Sequence, residues 1–279
     1  MAAVVECENL IKIHKQGSLE VIGLQGLDFT MEEGEFVAVV GPSGAGKSSL
    51  LQILAGMDQP SAGRVSVAET QMSDISSPEL LKHFRRNVGF VWQDYTRNLV
   101  PYLSVLANVE LPMVLGGVGR GRRKRRAREL LEVTGLDNRT YGRIHRLSGG
   151  EQQRLALCVA LSPGPRLLLA DEPTGELDTE RSLEVYDLLR SLCHDGGLSV
   201  LVVTHDVALA TRADRTVRLE DGRMMTERLR HGEVDRLAVD RRGRIQIPQD
   251  MLDQAGIAER VEAEATEEGI ILRRPPDDA

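Results

Sequence analysis

Cysteine is scarce, apolar runs are short, and positive charge is outweighed. The 279 residues include three cysteines, Cys7, Cys158 and Cys193. An odd number without a C-x-x-C spacing argues against a disulfide framework or a zinc ribbon and fits a reducing, cytosolic setting. The three thiols are expected to serve as packing or surface residues. Apolar runs such as FVAVV at 36–40 and VLVV at 200–203 are far too short to cross a bilayer. Glu6 and Glu8 interrupt the early apolar residues, so no secretory signal is read there. Any work at a membrane is therefore expected to run through a partner. The 35 basic residues are fewer than the 42 acidic ones, and a net charge of −7 leaves no overall basic field to draw the chain to nucleic acid.

What is present is a soluble globular composition, 41% hydrophobic and 28% charged, with length for one large domain and a small one. The first stretch, VVECENLIKI and LEVIGLQGLDFTM, reads as strands turned at Gly17 and Ser18. EGEFVAVVG holds a short apolar run suited to a buried strand, and a helix is expected from about Gly46 to Gly56. From about 77 to 162 helical patterns dominate, as in an insertion into an α/β core. Strand RLLLAD, helix ERSLEVYDLLRSLCHD, strand SVLVVT and two short strands follow. Alternating strands and helices predict a parallel sheet covered on both faces. The composition shifts near residue 231, which sets domains at 1–230 and 231–279, with 275–279 expected to fray.

Residues 41–49, GPSGAGKSS, fit G-x-x-x-x-G-K-[ST] between a predicted strand and a predicted helix. Glycines let consecutive N–H groups of Gly41, Pro42, Ser43, Gly44, Ala45, Gly46, Lys47, Ser48 and Ser49 (proline apart) converge on one point. The helix N-terminus adds about half a positive charge there. Lys47 adds a full charge for β- and γ-phosphates, and the Ser48 hydroxyl can ligate Mg²⁺. RLLLADEP ends a strand in two acids. Asp171 is placed to hold Mg²⁺, and Glu172, on the other side of the strand, to polarise an attacking water.

LSGGEQQR at 147–154, lying between these two motifs, makes residues 4–228 resemble an ABC transporter nucleotide-binding subunit. Ser148 caps a helix whose Gly149 and Gly150 N–H groups, followed by Glu151, are open to a phosphate. The resemblance implies that this motif meets the γ-phosphate held by a second subunit, so that two head-to-tail chains sandwich two ATP molecules. It further implies roles for Gln93 at Mg²⁺ and the attacking water, for Asp178 of GELD across the dimer interface, and for His205 at the γ-phosphate. Where the family often has a tyrosine stacked on adenine, this chain has His14, whose imidazole stacks more weakly. GFVWQDYTRNLVPYLSVLANVELP and DEPTGELD resemble the lipoprotein-release and macrolide-export type, whose partners are separate permeases. The expected function is thus an ATP-hydrolysing subunit, dimeric and held at the inner face of the plasma membrane, driving an FtsX-like permease in export or membrane extraction.

The basic run GRGRRKRRAR at 119–128 is read as the solvated face of a helix rather than a lipid or RNA site. Residues 234–274 resemble the AbrB-like swapped-hairpin fold: a strand, Gly243 and Arg244, alternating Ile245 and Ile247, Pro248 opening a helix, then Gly256 and Ile257. About 40 residues bury too little surface to stand alone, so the resemblance implies exchange of hairpins between two chains. Arg241, Arg242 and Arg244 are candidate DNA contacts, set against Asp240, Asp250, Asp253, Glu259, Glu262, Glu264, Glu267 and Glu268. A dimer clamp is favoured, and an ATP-dependent regulator binding DNA through the tail remains the other reading.

Overall fold

A computed structural model describes residues 2–17, 19–72, 77–175, 177–230, 232, 235–239, 243–257, 261–266 and 269–273. The turn residue Ser18, Glu176 of GELD, Asp240, Arg241, Arg242, Glu259, Glu267, Glu268 and the end at 275–279 lie outside the described residues.

The chain opens with β1 (Ala3–Gln16) and β2 (Leu19–Glu32), an antiparallel pair turned at Gly17, followed by β3 (Phe36–Val40) and α1 (Lys47–Leu54). Next come β4 (Ala62–Val67), β5 (Thr70–Gln71), α2 (Ser77–Asn87) and β6 (Val88–Val91). Helices α3 (Val105–Leu115), α4 (Arg120–Val133) and α5 (Gly149–Leu161) form the helical region. The core resumes with β7 (Leu167–Asp171), α6 (Thr179–Gly196), β8 (Ser199–Val203), α7 (Val207–Ala210), β9 (Arg215–Glu220) and β10 (Arg223–Leu229). The tail holds β11 (Arg236–Leu237), α8 (Gln249–Ala255), β12 (Glu262–Thr266) and β13 (Gly269–Arg273).

The main sheet runs β11-β10-β9-β3-β8-β7-β6, parallel from β9 to β6 and antiparallel at β10 and β11. A second, antiparallel sheet runs β2-β1-β4-β5. Alternation along β3 explains why FVAVV is apolar throughout. Phe36, Ala38 and Val40 enter the core shared with the helical region and α6, whereas Val37 and Val39 enter the core shared with α1 and the second sheet. The same division splits Leu168 and Ala170 from Leu167 and Leu169 on β7.

The expected elements between 77 and 162 form, with one addition. β6 is a core strand paired in parallel with β7, and four residues were too few to show a period in the sequence. In α4, Ala127, Leu130 and Leu131 are buried while Arg120, Arg122, Arg125 and Arg128 are exposed, so the basic run is a solvated face. All three cysteines are buried, and burial pushes each thiol up to about 12, which leaves them inert as packing groups.

Pro248 precedes α8 and Gly256 closes it in the left-handed conformation. The β12–β13 hairpin pairs in register from Glu262 with Arg273 to Thr266 with Gly269, and all ten of its residues are exposed. Among the described residues no helix is long and apolar enough to cross a membrane.

Candidate nucleotide site

The parallel strands deliver four segments to one place. Residues 41–49 leave the end of β3, Gln93 follows β6, Asp171 and Glu172 end β7, and His205 follows β8. The carboxyl ends of parallel strands are where open α/β sheets form ligand crevices. Here a cavity of about 430 Å³ is lined by Gly41, Ser43, Gly44, Gly46, Lys47, Ser48, Ser49, Gln93, Asp171, Glu172, His205 and His14. Pro42 and Ala45 belong to the loop without lining this cavity; Ala45 is buried and its carbonyl accepts from the Gly222 N–H at 3.0 Å.

The loop depends on two glycines for close approach. A Cβ on Gly41 would lie 2.0 Å from the Leu219 carbonyl oxygen, and one on Gly46 2.2 Å from that of Gly23, at φ values of +155° and +99°. Gly46→Ala is expected to destabilise the chain by about 3 kcal/mol through strain and overpacking. Thermal unfolding should then begin roughly 6–12 °C lower; an unchanged midpoint would contradict the close approach.

Lys47 Nζ donates to the carbonyls of Gly41 (2.7 Å) and Pro42 (2.8 Å), so the ammonium is held over the loop it belongs to. Burial lowers its pKa from the ordinary lysine range, opposed by the negative Glu172 and Asp171. Ser48 Oγ donates to Asp171 Oδ2 at 3.3 Å. Burial raises the Asp171 pKa, with the Ser48 hydrogen bond acting against it. Asp171 and Glu172 thus share a half-buried space with one lysine, an arrangement short of positive charge.

Glu172 has φ +48°, a left-handed conformation for a residue with a side chain, and its N–H donates to the Val203 carbonyl at 2.9 Å. Such strain persists where surrounding structure imposes it. Glu172 Oε1 lies 2.9 Å from His205 Nδ1. The imidazole is 79% exposed and the carboxylate 14%, so the pair presents one open and one sheltered partner. The segment before and after Gln93 is braced: Trp92 N–H donates to Asn98 Oδ1 at 3.0 Å, Asn98 Nδ2 donates to the Phe90 carbonyl at 2.7 Å, and the Arg97 guanidinium lies 3.6 Å from the Trp92 ring centre.

His14 Nε2 lies 2.8 Å from Ser49 Oγ, at the end of the glycine-rich loop 41–49. Its cross-strand neighbour is Val21, and Val21 and Ile22 line the same cavity while staying 46% and 52% exposed. These two residues were not found from sequence. Their only signal is that they are apolar at an exposed strand end, where an aliphatic surface beside His14 can pack against a planar ring.

Ser148, Gly149, Gly150, Glu151 and Asp178 are not brought to this cavity. Ser148 and Glu151 close a capping box: Ser148 Oγ accepts from Glu151 N–H at 3.2 Å and Glu151 Oε2 from Ser148 N–H at 2.8 Å. That backbone bond, with Arg139 at 3.0 Å, lowers the Glu151 pKa against its burial. Ser148 itself is exposed. Asp178 caps α6 by accepting from Arg181 N–H at 2.9 Å.

For a divalent ion the donors fit. Ser48, Asp171 and Gln93 offer hydroxyl, carboxylate and amide oxygens, the hard ligands Mg²⁺ takes. Among the described residues no group of three or more His, Cys, Asp or Glu side chains is placed to hold a metal ion.

The ABC transporter family description matches residues 24–175. The lipoprotein-releasing system ATP-binding protein LolD of Ruegeria pomeroyi is 49% identical over 208 residues, 75% of this chain and 90% of that protein. The macrolide export ATP-binding/permease protein MacB of Rhodopseudomonas palustris is 41% identical over 238 residues, 85% of this chain and 36% of that protein. A solved dimeric ATP-binding cassette in a post-hydrolysis state with ADP and Pi superposes with TM-score 0.76 at 37% identity, covering 82% of this chain and 99% of that one. With a strand-end cavity built around its glycine-rich loop 41–49, and with these likenesses over most of its length, the chain belongs to the ABC transporter family as an ATP-binding subunit with ATPase activity.

Proposed function

We propose that two copies of this chain close head to tail on two ATP molecules and so drive a separate, FtsX-like integral-membrane permease in export or extraction from the inner membrane. The observation that carries the proposal is the division of the site. One cavity gathers residues 41–49, Gln93, Asp171, Glu172 and His205, while Ser148, at the head of α5, is exposed outside that cavity, with Gly149 half-buried and Gly150 buried behind it. A second copy, turned to face the first, supplies that anion-binding end to the γ-phosphate.

In this reading Lys47 and the amides of 41–49 hold the phosphates. Ser48, Asp171 and Gln93 hold Mg²⁺, which when bound neutralises phosphate charge. Glu172 takes a proton from the attacking water, and His205, already within hydrogen-bond distance of it, fixes its direction. His14, Val21 and Ile22 receive the base. Positioning and electrostatic stabilisation supply most of the rate enhancement. ATP favours the closed pair, and that preference is what moves the permease.

We assign residues 231–279 to an AbrB-like clamp between the two copies. The support is the exposed hairpin: Ile270, Ile271 and Leu272 are 69%, 41% and 37% exposed, apolar groups that a second hairpin would cover. Tethering the two ATPase units raises their effective concentration toward the millimolar range. A chain ending at residue 230 is therefore expected to reach half-maximal ATPase activity only at roughly 10²-fold higher protein concentration. Sedimentation and turnover across a dilution series measure this. An unshifted midpoint removes the clamp, and duplex DNA bound tightly by the full chain would favour the regulator reading. Transport is tested by ATPase activity of the chain co-purified with its membrane partner, which should exceed that of the chain alone.

A further inference from the structure

Beside the nucleotide cavity lies a second cavity of about 470 Å³, walled on one side by the phosphate loop and His205 and on the other by the tail. Gly41, Pro42 and His205 line it together with Arg218, Arg228, Glu220, Asp235 and Asp250. The tail is fastened there. β11 pairs with β10 through Thr226 with Leu237 and Glu227 with Arg236, and the Ala238 N–H donates to the Met225 carbonyl at 2.9 Å. Arg228 grips Asp235 through two bonds of 2.5 and 2.8 Å, and Arg218 Nη1 donates to both oxygens of Asp250 at 3.3 Å. Arg218 is the register partner of Val40, the last residue before Gly41. The solved cassette is matched over 99% of its length by 82% of this chain, and the unmatched remainder is close to the length of the tail.

We propose that the tail is an intramolecular effector that opposes nucleotide binding through this shared wall. The proposal rests on the phosphate-loop reading of residues 41–49. Charge supplies the sign. Two guanidinium groups, Arg218 and Arg228, face three carboxylates, Glu220, Asp235 and Asp250, so the wall carries one formal negative charge. Without the two tail carboxylates it carries one positive charge. An anionic ligand on the other side of Gly41 and Pro42 is disfavoured by the first arrangement and favoured by the second. These groups are partly solvated, so the effect is modest and falls with salt. Linkage makes it reciprocal: if docking of the tail weakens nucleotide binding, bound nucleotide loosens the tail by the same factor.

The test uses the full chain and a non-hydrolysable ATP analogue. In dilute buffer, Asp235→Asn with Asp250→Asn is expected to bind the analogue about 2–5-fold more tightly than the parent, with the gap closing as salt is raised. Asp253→Asn, whose carboxylate accepts from Gln249 on the same helix and does not line the cavity, should leave affinity unchanged. Hydrogen exchange in the parent should quicken at 249–255 when the analogue binds, while amides at 41–49 slow. Equal or weaker binding by the double variant would overturn the proposal, as would equal tightening by Asp253→Asn or exchange at 249–255 that ignores the analogue. Amides at 41–49 that do not slow would instead overturn the phosphate-loop reading, and the effector role with it.

Discussion

Replacing Glu172 by Gln should lower ATP turnover by about 10²–10⁴-fold, the range by which a positioned base contributes. The amide keeps the side-chain shape and a hydrogen-bond link toward His205, 2.9 Å away in the parent, but cannot accept the water's proton. Binding and closure should be spared, because in the proposed site the phosphate contacts come from residues 41–49. The variant is therefore expected to accumulate as an ATP-bound dimer, visible by size-exclusion chromatography with nucleotide in the dimer peak. Phosphate release at the parental rate would remove Glu172 from the chemistry. A fall in turnover without accumulation of the dimer would place its role in closure instead.

Lys47→Ala should abolish measurable nucleotide binding and turnover together. Among the described residues the ammonium is the one full positive charge lining the cavity, opposed by Asp171 and Glu172. It is now occupied by the carbonyls of Gly41 and Pro42, and a phosphate must replace those contacts with charge-assisted ones. Two such bonds at about 1.5–3 kcal/mol each correspond to roughly 10²–10⁴ in affinity. Removing the lysine also leaves two carboxylates facing the phosphates without a counter-charge. Isothermal titration with ATP should show no heat of binding. Parental affinity would mean that the loop does not hold the phosphates.

Much of this site could be read from sequence because its parts are contiguous. G-x-x-x-x-G-K-S carries loop, charge and hydroxyl within eight residues, and Asp171 and Glu172 are adjacent. Ser148 caps its helix, as its residue type at that place predicts, and the structure adds the reciprocal bond to Glu151 that completes a capping box. What sequence could not show is set by register and backbone strain. Val21 and Ile22 reach the cavity only because β2 pairs with β1 so that Val21 faces His14. The left-handed backbone of Glu172 accompanies a bond to Val203 on a neighbouring strand and is not a preference of its residue type. β6 was hidden because VGFV is too short for a period, and its place is fixed by pairing with a strand some eighty residues away. In the tail, Pro248 and Gly256 bound α8 as their local chemistry predicts. Its place across the second cavity from Gly41 and Pro42 is held by pairing of β11 with β10 and by the ion pairs Arg228–Asp235 and Arg218–Asp250, which no local pattern encodes.

The central claim is that each active centre draws on two chains, and mixing two inactive variants tests it most directly. Lys47→Ala spoils the phosphate loop and keeps the Ser148 helix, whereas Ser148→Arg does the reverse. In a mixed dimer one centre has both lesions and the other has neither. Unfolding-free exchange of equal amounts should restore about a quarter of the parental turnover, because half of the dimers are mixed and half of their centres are intact. A mixture that contains mixed dimers by mass and yet hydrolyses no more ATP than either variant alone would contradict the account.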